Sequence, residues 1–375
     1  MQNMTYDEIK SRIPDCPDGL RFVDCLDEPI KLYGTRVENG EYAKDFIRLP
    51  HDCVCGDGVD NLRFISTGVR VRFITNSDKL AILGKTGAVS AFSERYGFDI
   101  RVKYADGYIQ SFHALRNDFR YDFPMSEDGE KITYNERTSS LYFGRNMRLM
   151  SGKKDIEILF PHYCTTKSLL IGVSEDAEIL PPKPYTVKKP VVFFGSSITQ
   201  GIHASRAAAT YEAQVSRMLD CDYINLGFSG SCRAQKPVLE YIKTLDMSAF
   251  VYDYDHNAPD LDFLKNTHEP FFAEIREKFP NLPVVFMTKP DFLCNERDAA
   301  KRRNIIYTTY SNALSKGDRN VYFIDGETLF RKDGVDPAIC TFDGCHPNDL
   351  GFWCMARSVA DILEKAFKRS GALCE

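Results

Sequence analysis

No apolar run in this 375-residue chain approaches the ~20 residues that a bilayer-spanning helix needs. Runs such as Val191-Val192-Phe193-Phe194 fall far short. Basic charge is not in excess either. Lys and Arg number 48 against 53 Asp and Glu, a net charge of −5. A general nucleic-acid binder, which needs a basic surface to neutralise phosphates, is therefore not expected. The start, Met1 to Lys10, lacks a basic head followed by an apolar core, so it does not read as a secretory signal, and the expected location is the cytoplasm. No CxxC pair occurs among the 12 cysteines. Cys53-Val54-Cys55 is the only close pair, and a structural zinc site would need two more ligands at suitable spacing. Scattered thiols in a reducing compartment read as small core hydrophobes. Internal repeats and low-complexity tracts are missing as well. With 43% hydrophobic and 27% charged residues the composition is that of ordinary globular protein, and the length suggests two domains.

What is present changes texture midway. In the front half, Val69-Arg70-Val71-Arg72-Phe73 and Phe98-Asp99-Ile100-Arg101-Val102-Lys103-Tyr104 alternate apolar and polar residues, the period of a half-buried strand. Asp106-Gly107 after the second run signals a hairpin. Further strands are expected at Ser140–Phe143, Asp155–Phe160 and Ser168–Val173, with no convincing amphipathic helix among them, which suggests a β-sandwich. Gly84-Lys85-Thr86-Gly87 resembles a phosphate-binding loop only faintly, because Lys79 stands where the first glycine belongs; it reads as a turn. Pro181, Pro182 and Pro184 mark an extended connector, which sets the expected domains at 1–184 and 185–375.

After the connector, buried-type strands (Pro190–Phe194, Tyr223–Leu226, Ala249–Tyr254, Pro283–Thr288, Val321–Ile324) alternate with helical stretches. The expected helices are Thr210–Leu219, Pro237–Thr244, Thr267–Lys278, Asn295–Lys316 and Asp349–Lys368. This is the pattern of a parallel sheet covered on both faces, where ligands sit beyond the carboxyl ends of the strands. Four features fall there. Gly195-Ser196-Ser197 presents a serine at a tight strand-to-helix turn, able to act as nucleophile. Gly227-Phe228-Ser229-Gly230 lets the backbone approach a substrate closely. Asn257 can donate a side-chain amide. Asp343 and His346, three apart before the last helix, are close enough for the carboxylate to orient the ring. Together they supply a nucleophile, hydrogen-bond donors, a base and its orienter, the set that acyl transfer requires. Cys345 adjoins His346, but adjacent side chains on a turn point apart, so the thiol is not read as the nucleophile. Ser229 is a second candidate serine, and His203 and His256 are candidates to line the cleft, where a metal-ligand role would need a third partner that the sequence does not place.

From Pro190 onward these blocks make the sequence resemble the SGNH (GDSL-type) hydrolase family. Ser197 matches its nucleophile block, Gly230 the second, Asn257 the third, and Asp343 with His346 the last. Two blocks depart from the family pattern. Ser196 replaces the aspartate of Gly-Asp-Ser, and Asp255-His256-Asn257-Ala258 stands for Gly-x-Asn-Asp. The resemblance implies a flavodoxin-like parallel sheet flanked by helices (the SGNH hydrolase fold), with an N-terminal all-β, jelly-roll-like sandwich as in two-domain carbohydrate esterases. It implies a serine esterase acting on short acyl, chiefly acetyl, esters of a carbohydrate. Ser197, His346 and Asp343 would form the catalytic triad, and the Ser197 and Gly230 N–H groups with the Asn257 amide the oxyanion hole. No metal or organic cofactor, nucleic acid or membrane is expected as a partner. Front-half aromatics (Tyr104, Tyr108, Phe112, Phe119, Tyr121, Phe123) are candidates for stacking on sugar rings as well as for sandwich core. An acyltransferase using the same serine, and a non-catalytic carbohydrate-binding protein, remain alternatives on sequence alone.

Overall fold

The computed structural model describes residues 4–87, 97–114, 140–290, 298–331 and 334–373. Phe119, Tyr121 and Phe123, and the first residues of the helix expected from Asn295, lie outside them. The chain divides into two compact units. The first comprises Met1–Thr35, Tyr42–Ile47 and Phe64–Lys183; the second comprises Arg36–Glu41, Arg48–Arg63 and Pro184–Glu375. Two short stretches of the front half thus belong with the back half, an arrangement that no single boundary in the sequence describes.

The elements up to the connector are α1 (Tyr6–Ser11), β1 (Leu20–Asp24), β2 (Lys31–Tyr33), β3 (Val37–Glu38), β4 (Glu41–Tyr42), α2 (Gly58–Leu62), β5 (Arg70–Thr75), β6 (Lys79–Gly87), β7 (Phe98–Tyr104), β8 (Ile109–Ala114), β9 (Ser140–Arg148), β10 (Lys154–Leu159), β11 (Thr165–Ser174) and β12 (Ile179–Leu180). The first unit is two antiparallel sheets, one ordered β1-β11-β6-β9 and one β12-β5-β10-β7-β8 with β2 against β5. A shared core drawn from both sheets, with Val71, Phe73, Ile82, Ile156 and Ile171, fills the space between them. This is the sandwich that the period-2 patterning predicts. Asp106-Gly107 turns the β7–β8 hairpin: Gly107 takes φ +88, and the Tyr104 N–H donates to the Tyr108 carbonyl at 2.9 Å. The expectation of a turn at Gly84–Gly87 is corrected, because these residues lie inside strand β6. The reason is steric: a Cβ on Gly84 would stand 2.1 Å from the Phe98 ring, so the glycine lets an aromatic lie directly on the strand.

The second unit carries β13 (Val187–Gly195), α3 (Ser197–Gln200), α4 (Tyr211–Leu219), β14 (Cys221–Gly227), α5 (Lys236–Ile242), β15 (Ala249–Asp253), α6 (Leu261–Lys278), β16 (Val284–Met287), α7 (Ala299–Ser315), β17 (Val321–Ile324), α8 (Gly326–Leu329) and α9 (Asp349–Ser370). Its five strands are parallel and ordered β14-β13-β15-β16-β17, the flavodoxin-like order in which the chain reverses direction beside β13. Helix α6 starts well before the expected Thr267, because Asp260 accepts the Phe263 N–H at 2.7 Å and caps it. Among the described residues no helix is long and apolar enough to cross a membrane.

Two carbonyls on the open edge strand β14 are met by a side chain from early in the sequence. Arg48 is fully buried and donates from one guanidinium nitrogen to the carbonyls of Asn225 and Gly227, each at 3.0 Å. Carbonyls two apart on the edge strand β14 point to the same side, so one planar guanidinium takes both. Its other terminal nitrogen donates to the Leu62 carbonyl at 2.7 Å, and its plane lies over the Phe228 ring.

Candidate active site

Strand β13 ends at Gly195, and the chain turns at once into the single turn of α3. Ser196 caps that turn, its hydroxyl accepting the Ile198 N–H at 3.2 Å, and Gly201 closes it at φ +88. Gly195 has no substitute here, since a Cβ would lie 2.2 Å from the Thr199 hydroxyl and 2.6 Å from the Asp253 carbonyl. The turn presents Ser197 at its first position. The Ser197 Oγ is 3.0 Å from His346 Nε2, and His346 Nδ1 is 2.8 Å from Asp343 Oδ2. The sequence-predicted serine, histidine and aspartate are therefore brought together in one chain of hydrogen bonds.

Asp343 and His346 meet in a tight turn rather than at a helix start. Asp343 Oδ1 accepts the N–H groups of Cys345 at 3.0 Å and His346 at 2.7 Å, and the Phe342 N–H donates to the His346 carbonyl. Helix α9 begins only afterwards, capped by Asn348. Burial works to raise the Asp343 carboxyl, but the His346 N–H and ring and the Cys345 N–H outweigh it and hold the group down at about 2. Asp343 is thus a fixed anion. For His346, burial opposes the charged ring, yet the Cys345 thiol and the Asp343 carboxylate together raise it above the ordinary histidine value. The expectation that the Cys345 side chain points away from its neighbour is corrected. The thiol interacts with the His346 ring, which, with Lys289 nearby, draws it below the usual thiol value against the effect of burial. A tight turn of this kind does not impose the alternation that an extended chain would.

The second and third blocks face the same end of the sheet. Gly230 takes φ +67, and its N–H has no acceptor among the described residues. The Ser229 N–H is instead held by Gln200 Oε1 at 2.8 Å, which ties the turn to α3. Asn257 Oδ1 accepts the Cys232 N–H at 3.2 Å. The carbonyl end of that amide is thereby used, and its NH₂ end is left to donate. Arg302 of α7 clamps the same loop, donating to the carbonyls of Asp255 at 2.8 Å and Ala258 at 3.0 Å on either side of Asn257.

Sequence reasoning missed several supporting groups. Arg302 and Arg48 are single residues far away in sequence and carry no local signal. The Asp253–Asp255 pair had a signal that went unused, two acids two apart at the end of strand β15. Asp253 is buried, accepts from the Thr199 hydroxyl at 2.8 Å and is pushed up to about 7 by burial, then by the charge on Asp255. Asp255, equally buried, is kept below the ordinary value because His256 and the Lys289 N–H outweigh the effect of burial. Asp253 therefore holds its proton up to about neutral pH, while Asp255 is kept in its charged form. His203, expected from the sequence to line the cleft, does bring a second imidazole to the site: it lies in the left-handed region at φ +65, its Nε2 is 3.7 Å from Asp343 Oδ2, and its ring stacks on Phe342 with centroids 4.2 Å apart.

Comparison with known proteins agrees with this architecture. Residues 188–364 match the GDSL-like lipase/acylhydrolase family, and residues 20–179 match the N-terminus of SGNH-hydrolase-type esterases. Among solved structures, a GDSL-like lipase from Bacteroides ovatus is similar at 25% identity and TM-score 0.74, covering 93% of this chain and 98% of its own. A salicylyl-acyltransferase from a tetracycline biosynthetic pathway is similar at 17% identity and TM-score 0.68, over 93% and 98% of the two chains. An acetyl xylan esterase from Butyrivibrio proteoclasticus shares the fold at 14% identity and TM-score 0.52, over 94% and 99%. No curated protein matches. With both halves matched and the four blocks gathered at the carboxyl ends of one parallel sheet, the chain belongs to the GDSL-like (SGNH) hydrolase family and is an SGNH-type esterase with an N-terminal β-domain.

Proposed function

We propose that the protein hydrolyses short-chain acyl esters, chiefly acetyl esters of a carbohydrate, through an acyl-enzyme on Ser197. The observation that carries this reading is the continuous contact from the Ser197 hydroxyl through His346 to Asp343, at 3.0 and 2.8 Å. With Nδ1–H held by the Asp343 anion, the neutral ring keeps its Nε2 lone pair for the serine proton. The Ser197 oxygen attacks the ester carbonyl as that proton passes to Nε2. The resulting imidazolium returns it to the leaving alcohol, whose bond to the acyl carbon breaks. Water then repeats the sequence: His346 takes its proton, the hydroxide adds to the acyl carbon, and Ser197 leaves with the proton restored. The developing oxyanion would accept from the Ser197 and Gly230 N–H groups and the Asn257 amide. The fixed Asn257 carbonyl and the uncommitted Gly230 N–H support those two assignments.

A carbohydrate alcohol is supported by the fold shared with an acetyl xylan esterase. Transfer of the acyl group to an alcohol or amine would use the same serine. The test is a panel of acyl esters differing in chain length and alcohol, run with and without acceptors on wild type and Ser197→Ala. Acetyl esters should turn over and rates should fall steeply with chain length. Ser197→Ala should lose both turnover and labelling by a fluorophosphonate. Labelling retained in that variant would identify another nucleophile, and faster turnover of long chains would overturn the short-acyl reading. A large rate gain with an added acceptor would make the enzyme a transferase.

A further inference from the structure

The Asp343 carboxylate has a second imidazole beside it that the acyl-transfer chemistry does not use. We propose that His203, Asp343 and His346 form a binding site for a zinc-class divalent cation, and that its occupation switches the esterase off. The binding half of this inference stands on geometry alone; the inhibitory half rests on His346 being the base.

The three residues each offer one ligand atom, and those atoms lie within 4.8 Å of one another. Asp343 Oδ2 faces both rings, 2.8 Å from His346 Nδ1 and 3.7 Å from His203 Nε2. Zinc bound at ~2.0–2.2 Å to nitrogen and oxygen in a tetrahedron puts its ligands roughly 3.3–3.5 Å apart, a spacing between those two distances. Rotating the rings to close the three atoms from within 4.8 Å of one another to that spacing would admit the ion. Two imidazoles and a carboxylate with one position left to water are a donor set that suits zinc better than the oxygen-seeking magnesium or calcium. The supports that metal ligands need are built in. Asp343 Oδ1 is held by the N–H groups of Cys345 and His346, so its Oδ2 is aimed, and the His203 ring is held face to face with Phe342 at an interplanar angle of 17°.

The inhibition follows from proton placement. A neutral imidazole carries one proton. In the uninhibited enzyme it sits on His346 Nδ1 and is donated to Asp343, leaving Nε2 to accept from Ser197. A cation on Nδ1 takes that lone pair, the ring proton moves to Nε2, and the atom facing the serine becomes a donor. No proton is lost and the substrate is not shut out, but Ser197 has no base.

The experiment is a zinc chloride titration of the full chain, read by calorimetry and by esterase rate, on wild type, Ser197→Ala, His203→Asn, His203→Gln and Cys345→Ser. One ion should bind per chain in wild type and in Ser197→Ala, and wild-type turnover should fall with the same midpoint and recover with chelator. Both His203 substitutions should move the midpoint up by at least about tenfold, with each variant's rate expressed relative to its own metal-free value. Cys345→Ser should still bind one ion and lose its own metal-free rate as zinc is added. An unchanged midpoint in the His203 variants, loss of the effect in Cys345→Ser, or no heat in wild type up to millimolar zinc would overturn the site. Cobalt in place of zinc gives a spectrum that needs no variant to fold: a strong thiolate-to-cobalt band would place the ion on cysteine instead. If the chain binds zinc through His203 but hydrolyses no ester, the site stands and the catalytic reading falls.

Discussion

His346 is the residue whose behaviour most directly reports the proposed chemistry. Its ring is raised above the ordinary histidine value of about 6.5, and only the neutral ring accepts the serine proton. Activity should therefore fall as pH drops through that raised value, so the acidic limb of kcat/KM lies above pH 6.5 rather than at it. Asp343→Asn removes the anion that favours the charged ring. It should shift that limb downward and reduce kcat by up to about 10⁴-fold, measured across a pH series on an acetyl ester. Asn257→Ala removes the side-chain amide proposed to donate to the developing oxyanion. Its kcat should drop by roughly 10²–10³-fold with KM little changed, and an equal rise in KM would assign Asn257 to ground-state binding instead. Ser197, His346 and Asp343, which the fold brings into one chain of hydrogen bonds, could be picked out in the sequence because each sits in a short block next to a strand end or the last helix. His203 was legible as a ring that could line the cleft but not as a neighbour of the Asp343 carboxylate, and Arg302 was not legible at all, since both contacts are made by folding.

The strand ends and the turns after them hold the site in shape. Gly195→Ala would drive a Cβ against the Thr199 hydroxyl and the Asp253 carbonyl, and the backbone contact cannot rotate away. It should destabilise the chain by about 1–3 kcal/mol in urea unfolding and displace Ser197 from His346, lowering kcat beyond what the stability loss explains. Asp253, behind the same turn, makes stability depend on pH in a defined direction. Its folded value of about 7 stands above the unfolded carboxyl value of 3.8, so the folded state holds the proton more tightly. Its stabilising contribution is complete below about pH 4 and is lost as pH rises through about 7. Asp253→Asn should therefore gain melting temperature relative to wild type at pH 8 and not at pH 4. An equal difference at both pH values would mean that the group does not titrate in this range. Most elements were visible from periodicity: β7 occupies Phe98–Tyr104 and β17 Val321–Ile324, the spans that their patterning marks. Where boundaries moved, a local cap decided, as Asp260 does for α6; Gly84 reads as a turn residue until the ring lying on it is seen.

In the whole molecule, the hydrolase unit is assembled from three stretches of chain, two of which lie far before the third. The change of composition at Pro181, Pro182 and Pro184 can be seen in the sequence. The return of residues 36–41 and 48–63 to the later unit cannot, because the tie is one buried side chain reading two backbone carbonyls. Arg48→Met would strand the carbonyls of Leu62, Asn225 and Gly227 without a donor. It should cost roughly 3 kcal/mol in denaturant unfolding. A fragment beginning at Pro184 lacks that guanidinium altogether and should melt below the full chain, with faster proteolysis at β14; equal melting temperatures would show that the edge strand does not need it.

That long-range tie also sets an order of events at the ribosome. Arg48 and its acceptor Asn225 are 177 positions apart. At about 5–20 residues per second, the guanidinium would wait roughly 10–35 s after its own synthesis for a partner to emerge. During that interval the segment around it must stay soluble without its final neighbours, so the later unit cannot finish folding in the sequence in which it is translated.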